Sequence, residues 1–296
     1  MKKAIALSAL ALACMAGSAS AAPLMLPADS PIYFQFNNLE QVSSANLTVP
    51  GYAPANQPGI VNNNWGVFNI SSVQNGFPSV PNTDIAGGPT FFADDGPGGT
   101  KGQVTGIFYG IQLTGATTAT SGYIDLFWHE PGADQVDAAC LAGATCAPDA
   151  TTVGKFTGGT FLARLAFASG IDPLNATTTI KSTTDPTTIS TSGQADSFAN
   201  VVVGATYNGN TGVWEDVLNG DWFNTAFGTR DIRFSNFYNG LPAWTVPASG
   251  QDPAVNGLRS NDPGRVYTAP VPEPASLTLL GLGLVGLGYR RRNKKA

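Results

Sequence analysis

Apolar and polar positions alternate in short bursts along the middle of the chain, each burst bounded by Gly, Asn, Asp or Pro. Residues 32–36 (IYFQF) form the first, followed by 65–73 (WGVFNISSV) and 90–92 (TFF). Residues 103–114 (QVTGIFYGIQLT) and 121–130 (SGYIDLFWHE) read as a hairpin turning at Gly115, Ala116 and Thr117. Further runs lie at 160–168, 197–207, 211–218 and 231–238. Period-two patterning rich in β-branched and aromatic residues predicts strands, and this density predicts an all-β body. The expected architecture is a single β-sandwich or jelly roll of about ten strands. No stretch of the body keeps a capped 3.6-residue period, although a short helical piece is compatible with 214–218. Residues 176–192 are dominated by Ser and Thr and are read as an exposed loop or an interruption between strands, a composition that also suits O-glycan attachment.

Composition narrows the range of chemistries. Of 296 residues only 12% are charged while 43% are hydrophobic, which is enough for a packed core. Gly (35) and Pro (21) are abundant without a Gly-X-Y period, which excludes collagen and disfavours long helices. The formal charge of −5 conceals a division. Lys2 and Lys3 open the chain, and Arg290, Arg291, Arg292, Lys294 and Lys295 close it. Between those ends, eight basic residues face all twenty acidic ones, a balance near −12. Such a body lacks the cationic face that nucleic acid requires.

The N-terminus reads as a secretory signal peptide over residues 1–21. Lys2 and Lys3 precede an apolar stretch, and Ala19-Ser20-Ala21 supplies the small residues that signal peptidase needs, with Ala22 opening the mature chain. Export places the remaining cysteines, Cys140 and Cys146, in an oxidising compartment, where they are expected to form a local disulfide pinning a surface loop.

Candidate catalytic and metal-binding groups are sparse. His129 is the sole imidazole, sharing a predicted strand face with Asp125, and is expected at a solvated strand end. No G-x-S-x-G elbow or HExxH pattern accompanies it. Glu40, Glu130 and Glu215 are the candidates for a glycosidase-like carboxylate pair. Asp94 and Asp95 sit in a Gly-rich turn without the spacing of a calcium loop. Trp65, Trp128, Trp214, Trp222 and Trp244 are assigned chiefly to the core rather than to a sugar-stacking groove. No cofactor, metal site or catalytic residue is expected, and the protein is read as non-enzymatic.

The C-terminus carries the most specific signal. Val271-Pro272-Glu273-Pro274 is followed by an uncharged Leu/Gly-rich segment, 275–289, and a basic tail, 290–295. The prolines favour an extended peptide suited to an enzyme groove. The apolar segment is short for a comfortable bilayer span, and the cations would hold its end on the cytoplasmic side. A temporary transmembrane helix fits these features better than a permanent anchor.

This arrangement resembles the PEP-CTERM sorting signal of Gram-negative bacteria. The resemblance rests on Pro272, Glu273 and Pro274, with the apolar helix and Arg290, Arg291 and Arg292 in support. It implies processing by a membrane-embedded exosortase after transient residence in the inner membrane. Delivery to the cell surface or extracellular matrix would follow, often in exopolysaccharide-producing, biofilm- or floc-forming species. The expected organisation is signal peptide 1–21, acidic ectodomain 22–270 and sorting signal 271–296. The expected role is structural or adhesive within an exopolysaccharide matrix; a secreted carbohydrate-binding module or carbohydrate-active enzyme with the same address is the alternative. Residues 260–265 (SNDPGR) also resemble the end of many such ectodomains.

Overall fold

A computed structural model describes residues 22–52, 61–80, 84–132, 134–141, 146–188, 192–239 and 256–269. The first half contains β1 (Pro31–Val42), β2 (Asn64–Val80), β3 (Asp84–Ala93), β4 (Gln103–Gly115), β5 (Thr118–Thr120) and β6 (Tyr123–His129). Two helices, α1 (Ala138–Leu141) and α2 (Ala150–Thr157), precede β7 (Thr160–Ala168), β8 (Ile180–Ser182) and β9 (Gly193–Val201). The chain continues through β10 (Thr206–Tyr207), β11 (Asn210–Thr211), α3 (Glu215–Leu218), β12 (Phe223–Thr225) and β13 (Gly228–Arg230). It ends in β14 (Ile232–Asn239) and β15 (Asn256–Tyr267).

Eleven strands form one antiparallel sheet, so the all-β body expected from the alternation is what forms. The sheet closes on itself. Strands run β2-β1-β15-β14-β9-β7-β6-β4, and β4 pairs back to β2 through Ile70↔Val104 to Gly66↔Phe108. The two layers that a sandwich needs are therefore opposite walls of one ladder. At one end the wall between β4 and β9 is made by β6 and β7; at the other it is made by β5 and β8.

Alternation assigns the two sides. Ile32, Phe34, Phe68, Ile70, Val104, Phe108, Ile124, Leu126 and Trp128 belong to the interior core. Leu39, Trp65, Val67, Ile107, Tyr109, Phe127 and Phe161 form a second apolar cluster with Val153 and Phe156 of α2 and with Leu47, Val49 and Tyr52. The strands beneath this cover are buried on both faces, which is why residues 103–111 of β4 are buried without a break. Two glycines allow close packing across the β2–β4 seam. A Cβ at Gly66 would stand 2.5 Å from Phe108 Cζ, and one at Gly106 would stand 2.3 Å from Phe68 Cζ. Each ring lies on the bare backbone of its cross-strand partner.

Several elements escaped the pattern. Helix α2 is Thr-rich, yet Asp149 caps it by accepting from Thr152 N at 2.8 Å, and Val153 and Phe156 bury one face. The Ser/Thr-rich segment is more than a loop: it contains β8, and Thr178 and Thr179 are buried, because β-branched Thr suits a pleated surface despite its hydroxyl. Residues 260–265 lie inside β15, a central strand. Pro263 explains how it survives there: pairing with β1 is continuous, whereas the β14 register breaks between Phe234↔Gly264 and Phe237↔Asn261.

Candidate functional site

The described part of the chain enters and leaves at the same end of the barrel. Thr268, fully buried, donates from its backbone N to Ser30 O at 2.9 Å and from Oγ1 to Pro27 O at 2.6 Å. Its hydroxyl also accepts from Ser30 N at 3.0 Å. Ala269 N donates to Val217 O at 2.8 Å, and Ala269 O accepts from Asp29 N at 3.4 Å. Trp214, the residue that precedes α3, donates from Nε1 to Leu24 O at 2.7 Å, which fixes the incoming segment against the same end. This paired entry and exit holds the chain up to Ala269, directly before residues 270–274 (PVPEP).

Ala22 is exposed at the start of the described chain; Ala19 and Ala21 lie outside the described residues. Val271, Pro272, Glu273, Pro274, Arg290, Arg291 and Arg292 also lie outside them, as do the apolar segment 275–289 and Trp244. Among the described residues no helix is long and apolar enough to cross a membrane.

Cys140 and Cys146 are joined in a disulfide. Both cysteines are buried in the cluster that includes Val153 and Phe156 of α2, so the bridge packs into the covering layer.

His129 departs from its expected setting. It is buried, and its Nε2 lies 2.9 Å from Thr105 Oγ1. The Thr105 hydroxyl donates to Phe156 O at 2.6 Å, so the imidazole supplies the proton to Thr105 as a neutral Nε2–H group. Burial pushes its pKa below the ordinary value. The end of β6 lies under α2, which the alternation of β6 alone does not disclose.

Asp125 shares that face, as the alternation predicts, but it serves another partner. Arg164 Nε and Nη2 reach its two oxygens at 2.7 and 2.6 Å, with both side chains buried. Tyr52 OH donates to Asp125 Oδ2, and Tyr109 OH lies 3.4 Å from the same oxygen. Burial, followed by the negative charge of Asp125, raises the Tyr52 phenol above its ordinary pKa and keeps it a donor. This set ties the 43–52 segment to the barrel wall.

The remaining candidate carboxylates occupy separate places. Glu40 faces the barrel interior from β1 and accepts from Asn64 Nδ2 at 2.9 Å. Glu130 is exposed after β6, and Glu215 opens α3 and accepts from Gly204 N at 2.7 Å. Asp94 accepts from Gln103 Nε2 at 2.7 Å, Asn69 Nδ2 at 2.9 Å and Gly96 N at 2.9 Å. Asp95 accepts from Thr100 N at 2.9 Å, and that backbone bond is the main reason its pKa is lowered. The two aspartates thus staple the Gly-rich turn, and among the described residues no three His, Cys, Asp or Glu side chains converge to hold a metal. Trp65, Trp128 and Trp214 are buried in the core, while Trp222 stacks on Tyr267 at 4.0 Å.

After Ala269 the sequence runs through Pro270 and Val271 into Pro-Glu-Pro, an apolar stretch and an arginine cluster. Residues 270–292 match the family model of the PEP-CTERM protein-sorting motif. The chain is accordingly an exported protein, transiently anchored in the membrane and sorted by exosortase. No curated protein and no solved structure matches the chain.

Proposed function

We propose that this protein is a non-enzymatic component of the cell surface or extracellular matrix of a Gram-negative bacterium, with a structural or adhesive role among exopolysaccharides. Its life begins with removal of residues 1–21 by signal peptidase and continues with exosortase processing near Pro272-Glu273-Pro274. The observation that carries the reading is the junction between body and address. The barrel is hydrogen-bonded through Ala269, and the sorting motif begins at residue 270. A processing enzyme can therefore act on the tail without opening the fold.

The body suits an extracellular life. Its closed ladder leaves few strand edges, its cysteines are bridged and its acidic balance favours solubility. Contact with anionic polysaccharide would require bridging cations or neutral sugar faces. Removing residues 271–296 tests the reading. Surface display should be lost, with the barrel released soluble; undiminished display would overturn it. Comparing matrix cohesion in cells with and without the full chain tests the adhesive role separately.

A further inference from the structure

The barrel interior is not filled along its whole length. A cavity of about 120 Å³ opens at the end bounded by β5 and β8, among Phe36, Phe108, Ile111, Phe167, Phe234 and Leu258. Its size approaches the roughly 150 Å³ of an apolar cavity that admits benzene. Eight-stranded barrels are often wide enough to hold one small ligand.

Two polar atoms make this cavity unlike a simple packing defect. Asn38 lines it from β1 at 2% exposure, and its Oδ1 has no hydrogen-bond partner. Asn236 lines it from β14, and its buried Oδ1 is equally unpartnered. β15 lies between the two strands, with Asn38 opposite Ser260 and Ser260 opposite Tyr238, two residues from Asn236. The two acceptors therefore stand on nearby rungs of one interior wall. Burying an amide oxygen without a partner costs free energy that Leu at the same position would avoid. The Glu40 carboxyl group, which accepts from Asn64 Nδ2, adds a further polar group to the same cavity.

We infer that this cavity is a binding site for a compact neutral molecule with an apolar body and one hydroxyl head, whose single proton is donated to the deeply buried Asn38 oxygen. The aromatic walls supply the affinity for the body, and the Asn38 acceptor selects the head. The site lies in the barrel and is independent of the sorting address.

Benzyl alcohol and toluene, which differ in the hydroxyl, are the probes, titrated by calorimetry into the mature protein recovered from the producing cells. Benzyl alcohol should bind about tenfold more tightly than toluene, the discrimination of one buried hydrogen bond. Asn38→Leu should remove that preference while leaving the fold intact or more resistant to urea. Ala195→Phe, at a half-buried position on the cavity wall, should abolish binding of both. Should Asn38→Leu fail to fold, Ala195→Phe tests occupancy independently. Absence of benzyl alcohol binding at millimolar concentration would overturn the inference. So would equal binding of the two probes, or binding that survives Ala195→Phe.

Discussion

Replacing Arg164 by Met puts the sharpest load on the fold. Among the described residues the guanidinium is the one ionic partner of Asp125, whose carboxylate is fully buried. Breaking a buried pair on one side typically costs about 3–5 kcal/mol, because the remaining charge is left without compensation. The two tyrosine hydroxyls still face Asp125 Oδ2 and retain part of its stabilisation, which places the expected loss near the lower bound, about 3 kcal/mol. With a urea m-value of about 3 kcal/mol/M for a body of this size, the unfolding midpoint should fall by about 1 M.

Equilibrium urea unfolding of the mature protein, followed by tryptophan fluorescence, measures this directly. The companion variant carries Arg164→Met together with Asp125→Asn. Its neutral amide still accepts from Tyr52, so most of the lost stability should return. A single-variant shift below about 0.3 M, or a double variant no better than the single one, would refute the assignment of Asp125 as a buried anion held by Arg164.

Other expectations follow from the same layer. Burial lowers the folded pKa of His129 below its unfolded value near 6.5, so its contribution is fully present above that pH. Stability should decline as pH falls through 6.5 toward the folded pKa, and His129→Gln should flatten that part of the profile; an unchanged profile would defeat the reading. Because this is the only histidine, a single imidazole NMR titration reports the folded pKa. Replacing both Cys140 and Cys146 by Ala should cost about 2 kcal/mol in urea, since the closed loop is short. Native mature protein should show no reactive thiol without reductant. Gly106→Ala places a methyl against Phe68 Cζ and should cost about 1–3 kcal/mol, whereas an unchanged urea midpoint would mean that the seam is loose.

Legibility in the sequence differed between address and body for a physical reason. The C-terminal sorting motif acts through composition and order, which survive in a one-dimensional string. Two strands of the closed ladder were legible for a similar reason: 160–168 coincides with β7 and 231–238 nearly with β14, since both show β-rich local patterns. Strand β15 was opaque because Gly257, Pro263 and Gly264 mimic a turn. Only its neighbours reveal that β1 satisfies one side while β14 tolerates a gap opposite the proline. His129 was placed on the correct face but assigned to the wrong environment. Strand alternation gives orientation, whereas burial depends on α2, whose Asp149 cap and Val153–Phe156 spacing are brief signals inside a Thr-rich stretch. The cavity was beyond any local pattern, since Asn38, Phe108, Ile180 and Asn236 meet through ring closure.

That closure also orients the molecule. Chain entry and exit share the end of β1 near Pro31, where Trp214, Leu26 and Val266 fill the interior. The cavity lies toward the other end of β1, around Asn38, Glu40 and Val42, and a twelve-residue strand spans about 40 Å. Six residue steps separate Ala269 from Ala275, so even a fully extended connector reaches only about 20 Å. If the apolar segment enters the bilayer at Ala275, the plugged end stays within that distance of the membrane. In that arrangement the processing enzyme meets the plugged end, while the cavity opens at the other. Tail removal and cavity occupancy are thus geometrically separate events on one barrel, and neither requires the other to be complete.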